Sequence, residues 1–227
     1  MIKVLFVCLG NICRSPMAEY IFKDMVKKEG IEEKFYIDSA ATSTEEIGNS
    51  VHHGTKNKLK QMNIECRNHV ARRITKQDYE TFDYIIAMEE SNIVNIKRII
   101  GEDRENKIFR LLDFSNKPRD IDDPWYTGNF DRTYDDIVQG LEGFMKYLKK
   151  RHNILLKEEI FEKCLPKYLE EDLKKLKEGI KNNVSYLDCL IDELQGSVNS
   201  AFVDGDITEE QCDYLYKKYI RMEGQND

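Results

Sequence analysis

Residues 2–16 read IKVLFVCLGNICRSP and join an apolar run to a thiol, a tight loop and a helix start. The run 2–7 is typical of a buried strand, and the pair Gly10 and Asn11 is typical of a turn. We expect Ser15 to be the N-cap of the following helix and Pro16 to take its first position, where a missing N–H is not needed. The pattern predicts a strand–loop–helix unit with Cys8 at the end of the strand.

The loop has the composition of an anion-binding site beside a thiol. The N–H groups of a tight loop and of a helix N-terminus attract an anion, and the same field stabilises a thiolate at Cys8. Arg14 adds a planar set of donors that suits two phosphate oxygens. We therefore predict that Cys8 is a nucleophile and that Arg14 binds phosphate. The predicted phosphate-binding loop comprises Leu9, Gly10, Asn11, Ile12, Cys13, Arg14 and Ser15.

Outside this unit, apolar runs alternate with amphipathic stretches through the first 150 residues. Strands are predicted at 2–7, 35–39, 83–88 and 107–112, and helices at 16–28, 55–62, 89–99 and 131–150. Such alternation implies right-handed crossovers. We predict an α/β fold, with a four-stranded parallel sheet and helices on both faces in a Rossmann-like three-layer arrangement. Ligands of such sheets bind beyond the strand C-terminal ends, where Cys8 emerges.

Residues 151–227 follow a helical pattern instead. Apolar residues recur every three or four positions: Leu165, Leu169, Leu173, Leu176, Ile180, Val184, Leu187, Ile191, Leu194 and Val198. We predict a small all-α region with breaks at Pro166 and Gly179, and a last helix that runs from a capping box of Thr208 and Gln211 to Ile220. The predicted domains are a catalytic domain at 1–150 and a helical extension of unknown role at 151–227.

Composition excludes several classes of protein. The chain has 227 residues, of which 41% are hydrophobic and 34% charged, and its six cysteines are scattered, which predicts neither a disulfide scaffold nor a metal site. It lacks the run of about 20 apolar residues that would span a membrane. A net charge of −6, out of a total of −7, lies in residues 151–227 and argues against nucleic acid or membrane partners. A thiolate catalyst needs a reducing compartment, so we expect a cytoplasmic protein.

Four separated stretches resemble the low-molecular-weight protein tyrosine phosphatases, in that family's order and spacing. They are VLFVCLGNICRSPMAE at 4–19, IDSAATST at 37–44, TFDYIIAMEESN at 81–92 and DPWY at 123–126. The resemblance covers roughly residues 1–150 and leaves the last third of the chain unexplained. It implies an enzyme without metal or cofactor that hydrolyses phosphotyrosine in a protein, or a small aryl phosphate, through a phosphocysteine on Cys8. A phosphate ion would also bind in this site.

The resemblance also implies roles for residues outside the loop. Asp123 is the expected general acid and base, with Asp122 and Asp120 as alternatives, and the proline after Asp123 favours an extended backbone there. Ser15 would donate its hydroxyl to the Cys8 sulfur. Asn11, a residue type that tolerates left-handed backbone, would lock the loop through side-chain hydrogen bonds to Ser39 and His69. A plain surface histidine is the alternative for His69.

The walls of the cleft and the second loop cysteine complete the expected site. Ile12, Trp125 and Tyr126 would line a slot for the phenol ring, and Glu45 and Glu46 would lie on the opposite rim. The family forms a disulfide under peroxide between the cysteines that match Cys8 and Cys13. A small buried apolar residue is the alternative role for Cys13.

Other functions use related folds. Arginine phosphatases carry Thr where this chain has Ile12, and we expect the apolar side chain to favour an aromatic ring over a guanidinium. Arsenate reductases need a further cysteine pair, and none follows Arg72 before Cys164. A phosphate-binding regulatory module that acts through the helical tail is an alternative of another class, although Cys8, Arg14 and Asp123 are all present. Residues 151–227 could form a homodimer, bind a partner protein or pack on the catalytic domain.

Overall fold

Four parallel strands form the sheet at the centre of the first of two units. The structure, a computed structural model, describes residues 1–154 and 157–221. The strands are β1 (Ile2–Cys8), β2 (Phe35–Ala41), β3 (Tyr84–Ala87) and β4 (Ile108–Arg110), in the spatial order β2-β1-β3-β4. All three pairings are parallel. The predicted sheet is confirmed, and each strand end lies within two residues of its predicted position.

Six α-helices accompany the sheet within residues 1–154: α1 (Arg14–Lys28), α2 (His53–Gln61), α3 (Lys76–Thr81), α4 (Glu90–Ile100), α5 (Pro124–Thr127) and α6 (Phe130–His152). Two short 3-10 helices lie at Glu32–Lys34 and Leu111–Phe114. The sequence predicts four of the α-helices but not α3 or α5, because four to six residues are too few to show a helical period. A local signal for α3 does exist, since Thr75 and Asp78 form a capping box.

Alternation along β1 divides the core of this unit into two layers. Val4 and Phe6 pack on the side of α1 and α6, against Phe144. Leu5 points to the other face and packs with Ile96 of α4. This period of two places helices on both faces of the sheet, as predicted.

The start of α1 differs from the prediction. The helix begins at Arg14 with Cys13 as its N-cap, so the expectation that Ser15 is the N-cap is wrong. Ser15 lies inside the first turn, and its hydroxyl contacts the side chains of Cys8 and Asn11. Pro16 is the third helical residue and not the first. The N–H groups of a first turn have no acceptor within the helix, so the proline ring still removes no hydrogen bond.

The second unit is helical. The chain divides into Met1–Ile154 and Leu155–Asp227, and the predicted boundary at residue 150 falls inside α6. The unit contains α7 (Lys157–Lys163), α8 (Lys167–Lys181), α9 (Leu187–Val203) and α10 (Glu209–Leu215), followed by a π-helical turn (Tyr216–Ile220). The predicted all-α region is confirmed for these residues, as is the capping box of Thr208 and Gln211. Residues 155–156 and 222–227 of the predicted extension lie outside the described residues.

Gly179 does not break a helix, contrary to the prediction. It is buried within α8, where a Cβ would lie 2.6 Å from Cδ1 of Leu190. The missing side chain therefore lets α8 and α9 pack closely. The helix ends two residues later, and Asn183 follows with φ 49°. Pro166, the other predicted break, is the N-cap of α8.

Apolar residues of the predicted repeat form the core of this unit, namely Leu169, Leu173, Leu176, Leu194 and Val198. Across the part of the chain that the structure describes, no helix is both long and apolar enough to cross a membrane.

A partly buried carboxylate, that of Glu162, ties α7 to the rest of the helical unit. The hydroxyl groups of Tyr214 and Tyr219 each donate to Oε1 of Glu162 at 2.6 Å. The ammonium groups of Lys177 and Lys218 donate to the same carboxylate. Burial alone would raise the pKa of Glu162, but these four hydrogen bonds lower it to about 2.

The lowered pKa of Glu162 corresponds to about 3 kcal/mol of stability, which solvent screening of this partly exposed group reduces, so we expect Glu162→Gln to destabilise the helical unit by about 2 kcal/mol at neutral pH. A carboxyl group whose folded pKa lies below its unfolded value of about 4.3 stabilises the fold above that value and ceases to do so as the pH falls toward the folded pKa. The difference between the two proteins should therefore shrink as the pH falls through that window, from about 5 toward about 2.

Urea unfolding can measure this for the helical unit separately. The chain has one tryptophan, Trp125, which lies in the first unit, so its fluorescence follows that unit while far-ultraviolet circular dichroism also follows the helices. Glu178→Gln, at an exposed position of α8, is the matched control. Equal stability of Glu162→Gln and the unmodified protein at neutral pH would contradict the prediction.

Candidate active site

The loop between β1 and α1 wraps around the sulfur of Cys8. This residue is the last of β1 and is buried. The main-chain N–H of Asn11 donates to its Sγ at 3.3 Å, and Oγ of Ser15 lies 3.1 Å from the same atom. Asn11 has φ 58°, the left-handed conformation expected for it. The loop therefore returns on itself and aims N–H and O–H donors at the sulfur.

Asn11 locks this loop from inside. Its side-chain amide donates to Ser39 Oγ at 2.8 Å and to Ser15 Oγ at 2.9 Å, while its Oδ1 accepts from the main-chain N–H of Arg72 at 3.1 Å. The expected contact with Ser39 is thus present. His69 also reaches Asn11, but its Nε2 lies 2.8 Å from the main-chain oxygen of Asn11, so the expected side-chain bond is corrected to a main-chain one.

The buried carboxylate of Glu19 sets the direction of these hydroxyl groups, and the sequence analysis missed it. Ser39 Oγ donates to Glu19 Oε2 at 2.6 Å, and His69 Nδ1 lies 3.8 Å from the same oxygen. Ser15 Oγ accepts from Asn11, so its own hydrogen can point at the Cys8 sulfur, with the carbonyl of Ala40 at 3.4 Å as the longer alternative. An acidic residue on the inward face of a predicted helix was the available signal.

Arg14 is a buried cation held by three acceptors. Its guanidinium, 1% exposed, donates to the carbonyl of Ile121 at 3.1 Å and pairs with Glu89 at 3.2 Å and with Asp123. Burial alone would lower the pKa of Arg14, but the negative charges of Cys8, Asp123 and Glu89 outweigh it and raise it. Among the described residues, Nε of Arg14 has no hydrogen-bond partner. The Nε–H group of the planar guanidinium is thus available as a donor to a ligand.

Asp123 reaches the site from the start of α5. It is the N-cap of this helix, with an extended backbone, and its Oδ1 accepts from the N–H of Trp125 at 3.0 Å. The other carboxyl oxygen pairs with Arg14. Its two alternatives are engaged elsewhere, since Asp120 pairs with Arg110 and Asp122 with Arg132.

These groups surround a pocket of about 120 Å³. The lining residues are Cys8, Leu9, Gly10, Ile12, Cys13, Arg14, Glu45, Glu46, Asp123, Trp125 and Tyr126. Trp125 and Tyr126 are 54% and 78% exposed and form the outer wall. A Cβ at Gly10 would lie 3.1 Å from Cγ of Glu46, so the missing side chain lets Glu46 approach the loop closely. The pocket therefore has a polar floor and an aromatic side.

Cys13 differs in character from Cys8. It packs against Ile12 and Ala71, and Phe130 borders this cluster. Burial first, and then the charges of Cys8 and Asp123, raise the pKa of Cys13 to about 12. Cys13 is therefore a protonated thiol at neutral pH.

Within residues 1–154 and 157–221, no group of three His, Cys, Asp or Glu side chains could hold a metal ion. The site instead offers a buried thiol, a ring of N–H donors with a buried arginine, and a facing carboxyl group. On a parallel α/β sheet, this combination defines a cysteine-dependent phosphatase.

Comparison with known proteins identifies the family. The model of the low molecular weight phosphotyrosine protein phosphatases matches residues 3–154, and the chain belongs to this family. The low molecular weight protein-tyrosine-phosphatase YfkJ of Bacillus subtilis is 43% identical over 156 residues, which are 68% of this chain and 100% of that protein. The corresponding phosphatase of Gallus gallus is 44% identical over 150 residues, 63% of this chain and 94% of its own length.

Two solved structures extend the comparison. The crystal structure of YfkJ has a TM-score of 0.65 and 44% identity, and covers 66% of this chain and 96% of its own. The arginine phosphatase YwlE, in a cysteine-to-serine variant with a phosphorylated active-site serine, has a TM-score of 0.60 and 29% identity, and covers 67% of this chain and 99% of its own. The first unit thus corresponds to nearly the whole of these relatives, and the helical unit is an addition.

Proposed function

We propose that the chain hydrolyses phosphotyrosine in two steps through a phosphocysteine on Cys8. In the first step the sulfur attacks phosphorus, a sulfur–phosphorus bond forms, and the bond from phosphorus to the phenolic oxygen breaks. Asp123 gives its proton to that oxygen, so tyrosine leaves as a neutral phenol. Arg14 and the loop N–H groups hold the non-bridging oxygens and stabilise their charge in the transition state.

The second step restores Cys8 and releases phosphate. Asp123, now a carboxylate, takes a proton from a water molecule as the water oxygen attacks phosphorus, and the sulfur–phosphorus bond breaks. The Ser15 hydroxyl, 3.1 Å from Sγ, stabilises the negative charge that returns to the sulfur.

The observation that carries this proposal is the convergence of Cys8, Arg14 and Asp123 on one pocket. The free Nε of Arg14 is suited to a phosphate oxygen, and the neighbouring N–H donors are suited to the others. The phosphorylated serine in the YwlE variant supports a covalent intermediate at the corresponding position.

Initial rates on a phosphotyrosine peptide and a phosphoarginine peptide of the same sequence test the reaction, in reducing buffer with a chelator. We expect phosphotyrosine to be preferred, because Ile12 is apolar and Trp125 and Tyr126 give the pocket an aromatic wall. A preference for phosphoarginine would instead indicate a protein arginine phosphatase. Absence of turnover on both peptides would refute the proposed enzyme and leave the phosphate-binding module as the alternative.

Ile12→Thr should lower the ratio of kcat/KM for phosphotyrosine to that for phosphoarginine by about tenfold. The hydroxyl would offer a hydrogen bond to a guanidinium and remove apolar contact with a phenol ring. Ile12→Val is the matched control, because valine has nearly the shape of threonine but lacks the hydroxyl group. The same change in both variants would mean that side-chain size, and not polarity, sets the selectivity.

The rim carboxylates bear on the residues that flank the phosphotyrosine. Glu45 and Glu46 both line the pocket, and Arg14 is already paired with acidic groups. We therefore propose that basic flanking residues are preferred over acidic ones. Equal kcat/KM values for lysine-flanked and glutamate-flanked peptides at low salt would contradict this.

We propose that a disulfide between Cys8 and Cys13 protects the nucleophile from peroxide. Peroxide oxidises the Cys8 thiolate to a sulfenic acid, and the Cys13 sulfur then displaces water to form the disulfide. Oxidation removes the charge of Cys8, which is one cause of the raised pKa of Cys13, so Cys13 ionises more readily at that stage. Peptide mapping after a peroxide pulse should find this disulfide, and sulfinic acid on Cys8 instead would refute the proposal.

A thiol catalyst fits the reducing cytoplasm, which we propose as the location, and the described cysteines are all free.

We also propose that the helical unit mediates association, either with a second copy or with a partner protein. Light scattering of the full chain and of residues 1–154 separates these alternatives. A dimer formed only by the full chain supports self-association, whereas monomers in both cases refute it and leave a partner protein or packing on the catalytic domain.

A further inference from the structure

The ring of His52 lies behind the wall of the active site, in contact with the rings of Phe130, Trp125 and the neighbouring His53. It stacks parallel to Phe130, with ring centroids 5.3 Å apart and planes 5° apart. It meets the Trp125 ring in a T-shaped contact, with centroids 5.5 Å apart and planes at 68°, and the His53 ring lies 4.1 Å from it at a tilt of 36°. Trp125 belongs to α5 and Phe130 begins α6, so one imidazole supports both ends of the segment that follows Asp123.

His52 is also fixed to the phosphate-binding loop and to α2. Its main-chain N–H donates to the carbonyl of Ile12 at 2.9 Å. Its Nδ1 accepts from the N–H of Gly54 at 3.1 Å and so caps α2. Both polar contacts hold the residue in place, and the faces of the ring remain for the aromatic contacts.

The packing around this ring is tight. A Cβ at Gly54 would lie 2.4 Å from atoms of the Phe130 ring, so the helix start and Phe130 fit together only because residue 54 has no side chain. The main-chain N–H of Trp125 in turn donates to Oδ1 of Asp123 at 3.0 Å. A continuous set of contacts therefore runs from Ile12 through His52 and Trp125 to the carboxyl group of Asp123.

We propose that His52 is a positioning residue that sets the place of Asp123 relative to the phosphate-binding loop. The inference rests on the proposed role of Asp123 as the general acid. Proton transfer to the departing oxygen is sensitive to displacements of about 1 Å, so a carboxyl group on a four-residue helix benefits from a fixed support. His52 gives that support because its ring contacts Trp125 while its main-chain N–H binds the carbonyl of Ile12 in the loop.

The protonation state of His52 agrees with this role. Nδ1 can accept from Gly54 only while it carries no proton. Burial first, and then the charge of His53, lower the pKa of His52, while Glu46 acts in the opposite direction. The acceptor form therefore predominates at neutral pH.

The test compares two substrates that differ in their need for an acid. Phenyl phosphate has a poor leaving group and depends on protonation, whereas 4-nitrophenyl phosphate has a better one and depends on it less. His52→Asn keeps an acceptor for Gly54 and removes the ring. We expect it to lower kcat/KM by about 30-fold on phenyl phosphate and by less than about threefold on 4-nitrophenyl phosphate.

Two variants serve as controls. His152→Asn makes the same chemical change at an exposed position at the end of α6, outside the pocket lining, and we expect kcat/KM on both substrates to stay within about twofold. His52→Phe keeps the ring and loses the acceptor, and we expect it to retain most of the activity on phenyl phosphate. If His52→Asn does not fold, His52→Gln makes the equivalent test.

Asp123→Asn separates failure of this inference from failure of the proposed function. The loss of kcat/KM in Asp123→Asn should differ between the two substrates even more than in His52→Asn. When His52→Asn is added to Asp123→Asn, the further loss of kcat/KM on phenyl phosphate should be less than about twofold. An equal loss on both substrates in folded His52→Asn, or an equal loss in both backgrounds, would overturn the positioning role. If Asp123→Asn itself shows no difference between the substrates, the general-acid assignment fails first.

Discussion

Cys8→Ser should lower kcat/KM on a phosphotyrosine peptide by about 10⁴-fold or more. The serine oxygen would occupy the place of a sulfur that receives hydrogen bonds from Asn11 N–H and Ser15 Oγ. These contacts stabilise an anion, but a serine hydroxyl is not ionised at neutral pH, and there is no adjacent base in the proposed mechanism to activate it. The rate of the first chemical step should therefore collapse while the phosphate site stays intact.

Three measurements check this expectation. Inhibition and binding assays should show that Cys8→Ser still binds inorganic phosphate, because the loop donors remain. Rapid acid quenching of the unmodified enzyme should place one phosphoryl group on the peptide that contains Cys8. Cys66→Ser, in the same unit but outside the pocket lining, should retain activity. Substantial turnover by Cys8→Ser would rule out Cys8 as the nucleophile.

Arg14→Lys should lower kcat/KM by about 10³-fold although it keeps the positive charge. The guanidinium donates in three directions at once, to the carbonyl of Ile121 and to the carboxylates of Glu89 and Asp123, and it still has a free Nε. A lysine ammonium is a single point that cannot span these acceptors and a phosphate together. The variant also avoids leaving two carboxylates without a cation, so the loss reports on geometry more than on buried charge.

The inhibition constant of inorganic phosphate separates binding from folding in this variant. This constant should rise in Arg14→Lys because phosphate binds more weakly. The circular dichroism spectrum and the urea midpoint should stay close to those of the unmodified protein. Arg119→Lys, which alters an arginine paired with Asp136 outside the pocket lining, is the control. A loss of less than tenfold in Arg14→Lys would show that charge alone is sufficient.

Much of the catalytic unit follows from local patterns in the sequence. β1 and its loop are predictable because strand period, turn residues and helix start lie within fifteen consecutive residues. The short helices α3 and α5 are not, because they form only where a capping residue and a tertiary contact coincide. Ser15 shows the limit of a local rule, since a good N-cap residue is drawn into a contact with the Cys8 sulfur instead.

Contacts between residues distant in sequence account for the rest. Arg14 meets Glu89 and Asp123 across 75 and 109 residues, and a single sequence does not report which acidic residue will face it. The contacts of Glu19 and of His52 are not visible in the sequence for the same reason, since their partners come from other elements of the fold. Gly179 was misjudged because its effect on helix propensity is local, whereas its packing against α9 is not.

The ion pair between Arg14 and Asp123 has a consequence for affinity. The carboxylate of Asp123 pairs with a guanidinium nitrogen of Arg14 that the phosphate group of a substrate would also use. On the proposed mechanism, Asp123 therefore behaves as an intramolecular competitive inhibitor, which every phosphate ester must displace and which displaces the product in turn. Modest substrate affinity and rapid escape of phosphate are then two results of the same pair of side chains.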